Sequence, residues 1–236
     1  MRKATFFYLL RRGLLTGAGG FIRDGLVMAS KFITQGLTHP AQGSAEFDGS
    51  SDYIQLDTPF SYTNHTVACW AYLDNSSATR IIFDNREGSG DGIVLYFDSS
   101  DRPSYLVNSA FRNTSTAYQN VWVYIVGTYD GTTQKLYIDG SLVSSQATSQ
   151  TISTANDAII GRRRDLVTDY FKGNLANVAI WNRALSSDEI NAVMWKAAGS
   201  LTDSEKNGLQ AWYSLDNIDG TNVPDSSGNG NDGTAN

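Results

Sequence analysis

Cysteine is almost absent. The chain has a single one, Cys69, so no internal disulfide framework holds it together. Cys69 lies in the apolar stretch HTVACWAYL, which reads as a strand carrying a buried, inert thiol. Histidine is nearly as scarce. His39 precedes Pro40 in a loop-like setting and His65 opens a strand; neither stands in a Gly-x-Ser-x-Gly or Cys–His context, so no hydrolase constellation is offered. TGAGGF lacks the Lys-Ser/Thr of a phosphate-binding loop. No run approaches the ~18 apolar residues a membrane helix needs, which predicts no membrane span. Proline is rare, four residues against 22 glycines, so the chain must turn mainly on glycine.

Charge is also thin, 18% of residues, and unevenly spread. Residues 1–31 hold Arg2, Lys3, Arg11, Arg12, Arg23 and Lys31 against Asp24, a net of +5, and the remainder carries −11. This contrast predicts a basic arm, residues 1–40, that docks on something anionic or on an acidic neighbour. Arg2, Lys3, Phe6, Phe7, Arg11, Arg12 and Arg23 are its candidate assembly residues. TFFYLLRRGLL is compatible with a short amphipathic helix ended by glycines. The segment is read as retained: Arg11-Arg12 interrupts a secretory apolar run, and Arg23-Asp24 spoils a twin-arginine one. No basic stripe interleaved with aromatics accompanies the acidic body, so sequence-specific nucleic-acid binding is not expected.

From about Ala45 the texture becomes that of short strands. AEFDGSSDYIQL, HTVACWAYL, TRIIFDN and DGIVLYFDS alternate with Gly- and Ser-rich turns, and RPSYLVNSAF is a weaker candidate. NVWVYIVGTYDGTTQKLYIDGSLVSSQA carries two Asp-Gly pairs, Asp130-Gly131 and Asp139-Gly140, each predicting a type I′ hairpin. Within it Leu136 and Ile138 should face one side and Lys135 and Tyr137 the other. DAIIGRR and YFKGNLANVAIWNRAL supply further strands. SSDEINAVMWKAAG reads as a helix capped by Ser186 or Ser187, favoured by Asp188 and Glu189, and ended by Gly199. LQAWYSLDN is a closing strand. The predicted fold class is all-β, an antiparallel β-sandwich or jelly roll with one late helix and an N-terminal extension. The domain is expected over 41–236.

FDGSSDYIQL, WVYIVGTYDGTTQKLYIDGSLV and FKGNLANVAIWNRALSSDEI together resemble the laminin-G-like, concanavalin-A-like jelly-roll family, a group that includes pentraxin-like and lectin-like modules. The resemblance covers about residues 45–195. That family usually begins with a strand like GLQAWYSLDN and a loop like DSSGNGNDGT; here those elements stand at 208–236, as in a permuted order. The closing strand then completes either its own sandwich or a neighbour's.

The resemblance implies several candidate sites. Laminin-G-like and pentraxin-like modules commonly bind Ca²⁺ on loops, and Asp225, Ser227 and Asn229 stand at alternate positions before Gly230, although Asn236 occupies the place of the final bidentate Glu. The late block of the family often reads F-x-G-x-I-D-x-V; the corresponding residues here are Leu175-Ala176-Asn177-Val178, and the acid is gone. Glucanases of the fold use Glu-x-Asp-x-x-Glu; Glu46 and Asp48 are present, but Ser51 replaces the second Glu, so no enzyme is expected. Arg162, Arg163 and Arg164, beside Asp165 and Asp169, are read as an exposed loop that grips an acidic neighbour or an anionic glycan, or equally as a solvated loop with internal salt bridges; Tyr170, Phe171 and Trp195 are candidates for stacking on sugar rings or for the core. The resemblance and the basic arm together imply a structural or interaction protein: a virion component such as a capsid decoration, neck or tail part, anchored on other virion or scaffold proteins and able to form homo-oligomers. The alternative is a calcium-assisted lectin module that binds a surface glycan outside the cell or on its surface.

Overall fold

The computed structural model describes residues 43–236, apart from 75, 87–90 and 153–156. The expectations placed on Arg2, Lys3, Phe6, Phe7, Arg11, Arg12 and Arg23 therefore lie outside the described residues. Two antiparallel sheets form a sandwich. The first runs β1 (Ala45–Asp48), β12 (Lys172–Trp181), β3 (His65–Leu73), β8 (Trp122–Tyr129), β9 (Thr133–Ile138) and β10 (Ser141–Ala147), with β13 (Leu209–Tyr213) also paired to β12. The second runs β14 (Asn222–Val223), β15 (Gly233–Ala235), β2 (Ile54–Pro59), β11 (Asp157–Ile160), β4 (Arg80–Asp84), β5 (Ile93–Phe97), β6 (Pro103–Val107) and β7 (Ala110–Asn113).

The two-residue period of a strand sorts each sequence between two cores. In β3, Val67, Cys69, Ala71 and Leu73 enter the space between the sheets, where they meet Leu56, Phe83, Leu95 and Tyr105. Ala68 and Trp70 point the other way, into a second cluster that also holds Tyr124, Val126, Tyr137 and Trp181. HTVACWAYL is apolar throughout because both of its faces are covered. Leu136 and Ile138 join the inner core and Tyr137 the outer, as their alternation predicts.

The cover over the first sheet is α1 (Ser187–Val193), a 3₁₀ turn (Ala198–Ser200) and α2 (Asp203–Lys206). Ser186 caps α1 in a reciprocal capping box with Glu189, and Thr202 does the same with Glu205 for α2. Three tryptophans on the sheet keep their indole N–H groups satisfied beneath this cover. Trp70 donates to the Met194 carbonyl at 2.9 Å, Trp181 to the Glu205 carbonyl at 3.0 Å, and Trp212 to Asn177 Oδ1 at 3.2 Å. α1 stops at Val193, five residues before the expected end, and Gly199 instead lies inside the 3₁₀ turn. The Met194 carbonyl is claimed by Trp70, so it does not extend the helical ladder.

The two Asp-Gly pairs part company. Asp139 and Gly140 have φ of 49° and 77°, the type I′ pair predicted. At the other, only Gly131 has positive φ. Asp130 instead turns its carboxylate inward to accept the N–H groups of Thr132 at 2.9 Å and Thr133 at 2.7 Å, which makes a longer, side-chain-capped loop. The expected closing strand, β13, pairs with β12, and the chain end adds two short strands, β14 and β15, that its polar, Gly-rich text concealed; β15 pairs with β2, so residues 209–235 contribute to both sheets of their own chain.

Candidate functional site

The arginine loop is exposed at Leu166, Val167 and Thr168, while its arginines lie against the body and carry an internal salt bridge, one of the two arrangements expected. Arg162 is only 8% exposed. Its guanidinium carbon lies 4.1 Å from the Tyr53 ring centroid, and Nη1 donates to the Arg163 and Arg164 carbonyls at 2.8 and 3.3 Å. Arg163 is paired with Asp165 at 2.7 Å, and that hydrogen bond raises its affinity for the proton. Arg164 donates to the Arg86 carbonyl at 3.1 Å. Phe171 is fully buried, edge-on to Phe47 at 6.0 Å between ring centroids. Tyr170 is half-buried, and its carbonyl accepts from Arg80 Nη1 at 2.7 Å. The guanidinium groups contact carbonyls, a ring and a carboxylate, so these residues form a packed corner of the sandwich. A run of arginines reads as a charged surface, but each also has a long stem and a flat face that pack well.

The calcium triplet fares similarly. Asp225 Oδ1 accepts from the N–H groups of Trp212 and Ser227, both at 2.9 Å, and Oδ2 accepts from Ser227 Oγ at 2.7 Å and Asn231 N at 3.0 Å. Asn229 turns its NH₂ onto the carbonyls of Leu209 and Gln210 at 2.9 and 3.1 Å. A hard cation takes six to eight oxygens; both Asp225 oxygens and Ser227 Oγ are engaged by the chain, and Asn229 is held through its NH₂. These residues are a clasp that holds the closing loop on β13. Among the described residues no group of three or more His, Cys, Asp or Glu side chains is placed to hold a metal.

Asp48 also has a local task. Its oxygens accept from both the N–H and the hydroxyl of Ser50 and of Ser51, led by Ser50 Oγ at 2.6 Å, and these bonds hold its carboxyl well below the usual range. A carboxylate so stabilised in its charged form is a poor proton donor. Cys69 and His65 are sealed in the inner core. Burial pushes the Cys69 thiol up and drives the His65 imidazole down to about 4, where its Nε2 meets the Tyr105 hydroxyl at 2.5 Å and Nδ1 meets the Tyr62 carbonyl at 2.8 Å. Ala176 stands where the resemblance places an acid, and the neighbouring Asn177, with φ of 50°, sits at a bulge in β12 and accepts the Trp212 indole N–H on its Oδ1.

What remains lies on the outward face of the first sheet, beyond the cover. There the register aligns four side chains across four strands. Glu46 of β1 stands opposite Asn174 of β12, Asn174 opposite Tyr72 of β3, and Tyr72 opposite Trp122 of β8. The Tyr72 and Trp122 rings are 5.8 Å apart and tilted by 56°. Both are half-buried, and Glu46 is exposed. One step along β3, Trp70 packs 4.8 Å from Trp195, which is half-buried just past the end of α1. The row thus presents two wet aromatic faces beside an amide and a carboxylate. That combination pairs apolar contact with directional hydrogen bonding. Of this surface the sequence signalled Trp195 as a stacking candidate and Glu46 only within the glucanase pattern. Tyr72 and Trp122 sit in strands whose apolar text suggests burial alone, and their adjacency depends on a register that a single sequence does not print.

The profile of the concanavalin A-like lectin/glucanases superfamily matches residues 48–191. No curated protein sequence matches the chain. Among solved structures, a protein of Bacteroides ovatus ATCC 8483 described as carbohydrate-binding is similar over 82% of this chain, with TM-score 0.64 and 17% identity. The match spans 57% of the Bacteroides protein's own length. The native heptameric SAP-like pentraxin of Limulus polyphemus matches 70% of this chain and 86% of its own, with TM-score 0.55 and 16% identity. The CBM40 of Ruminococcus gnavus IT-sialidase matches 65% of this chain and 99% of its own, with TM-score 0.53 and 14% identity. At such identities these likenesses speak to the sandwich alone. The profile match covers more than half of the sequence, and the chain belongs to the concanavalin A-like lectin/glucanases superfamily.

Proposed function

We propose that the domain is a non-catalytic carbohydrate-binding module, and that the Tyr72–Trp122 row is the surface that binds. The observation carrying this reading is the tilted aromatic pair at 5.8 Å with Asn174 and Glu46 in the same cross-strand row. A sugar ring has an apolar face of C–H groups and an equatorial belt of hydroxyls. Aromatic rings take the first, and amide and carboxylate groups take the second. The Bacteroides and Ruminococcus neighbours, described as carbohydrate-binding and as a CBM40, add weight to the class of ligand. The same class suits a protein that works outside the cell or on its surface. No proton-donating pair accompanies the row: Asp48 is held charged by its turn, and Ser51 stands where a second glutamate would act.

The test is a glycan array probed with the full chain, followed by calorimetry on each hit. Trp122→Ala and Tyr72→Ala should each weaken binding at least about tenfold, the ~1–3 kcal/mol expected of a lost stacking partner. A wild-type chain that binds no glycan would remove the reading, and so would variants that fold and bind normally.

A second reading, a virion or scaffold component anchored by residues 1–40, draws on the charge contrast between that segment and the rest of the chain. Light scattering of the full chain and of a version lacking residues 1–40 checks it. An oligomer lost on truncation supports anchoring, and identical monomers count against it.

A further inference from the structure

Resting on the carbohydrate-binding reading above, we infer that the row takes an uncharged, hydroxyl-rich sugar and turns away sialylated, uronic or sulfated ones. The charges around it carry this inference. Glu46 lies within the row itself. One step along β1, Asp48 stands opposite Lys172, and the Asp74 N–H donates to the Lys172 carbonyl at 3.1 Å, which brings the end of β3 beside them. The carboxylates of Glu46 and Asp48 therefore share this part of the face with one ammonium group, that of Lys172.

Proteins that select anionic ligands favour arginine, whose planar fork matches a carboxylate with two parallel hydrogen bonds. Every described arginine but one belongs to the second sheet or its loops, and Arg80, which reaches the end of β1, spends its Nη1 on the Tyr170 and Gly49 carbonyls at 2.7 and 3.5 Å. The exception, Arg183, follows β12 at the end of the sheet remote from the row, where its guanidinium is paired with Glu189 at 2.7 Å. An incoming carboxylate would thus meet like charge and no fork. A neutral hydroxyl, by contrast, can donate to Glu46 in a charge-assisted bond, and Asn174 can both donate and accept. The apolar face of the same ring then lies over Trp122 and Tyr72. The partners are set along one cross-strand line, which suits a pyranose within a linear chain.

The experiment is a glycan array holding matched neutral and acidic members, lactose beside α2,3-sialyllactose for instance, followed by titration at about 50 and 500 mM NaCl. Neutral hits, an affinity that changes less than about twofold with salt, and loss of those hits in Trp122→Ala are expected. Asn174→Ala, a half-exposed amide whose removal leaves both stacking rings in place, should cost about three- to tenfold. Acidic glycans bound at least as well as their neutral partners would overturn the inference and leave the carbohydrate-binding reading standing. Neutral hits that survive unchanged in both folded variants would overturn the placement of the site. A wild-type chain that binds nothing on the array would end both.

Discussion

Tyr53 and Asn236 exchange both of their backbone hydrogen bonds, at 2.9 and 3.2 Å, across 183 positions of sequence. This pair extends the β15–β2 ladder and pins the closing segment to the edge of the second sheet. Gly233 fits there because it has no side chain: a Cβ would come within 2.8 Å of both Ile54 and Leu56. Removal of residues 224–236 should therefore strip a paired edge and uncover Ile54 and Leu56. The expected cost is about 4 kcal/mol, a fall of roughly 10 °C in Tm. Differential scanning calorimetry on the shortened chain measures it, and an unchanged Tm would contradict the role given to this pair.

The clasp at Asp225 predicts a related effect without any deletion. Asp225→Ala leaves the N–H groups of Trp212, Ser227 and Asn231 without their acceptor. Stability should fall by about 2–4 kcal/mol. Because the Asp225 oxygens are engaged by N–H and hydroxyl groups of the chain, EDTA and millimolar calcium should both leave the wild-type Tm where it was. A calcium-dependent rise in Tm would show that the clasp opens to the ion.

Acid should loosen the fold through His65. Its imidazole titrates near 4 when folded and near 6.5 when unfolded, because burial opposes the charged form. The unfolded chain therefore binds a proton that the folded chain refuses. The stabilisation is fully present above pH 6.5 and is lost as pH falls towards 4, on the order of 3 kcal/mol in all. Urea midpoints between pH 7.5 and 4.5 follow it. His65→Gln should be less stable at neutral pH yet nearly flat over this interval. A variant with the wild-type slope would assign the acid sensitivity to another group.

Two glycines should respond oppositely to alanine. Gly173 has φ of 129° and a Cβ direction that ends 2.1 Å from the Tyr72 carbonyl oxygen. Gly173→Ala is expected to cost more than about 3 kcal/mol and to displace Tyr72 from the row. Gly199 has ordinary φ and nothing within 4 Å of its Cβ position. Gly199→Ala should change stability by less than about 0.5 kcal/mol. Thermal melts of the two variants compare them directly.

Much of the sandwich can be read from local text. Asp139-Gly140 marks its turn because two positive φ values are required there, and the continuous apolar run of β3 is explained by cover on both faces. The site is less legible. Arg162 carries a charge that implies solvent, yet its flat face lies on Tyr53. Asp225 has the spacing of a cation ligand, but its acceptors are consumed by N–H groups of its own loop and of the neighbouring strand. Tyr72 and Trp122 lie 50 positions apart and become neighbours only through the β3–β8 register. Composition and periodicity assign a residue to a face. They do not state which strand lies beside it.

The edge of β12 is completed by two strands from opposite ends of the domain. β13 covers Val178–Trp181, β1 covers Lys172–Leu175, and the Asn177 N–H reaches across the gap to the Ser214 carbonyl at 3.2 Å. During synthesis, β1 is made early but finds only part of that edge to share. Until residues 209–235 have left the ribosome, β12 keeps half an open edge and β2 keeps another. A nascent chain stalled before Leu209 would thus hold two unsatisfied rows of backbone donors and acceptors, one in each sheet, and would be open to strand pairing with its neighbours.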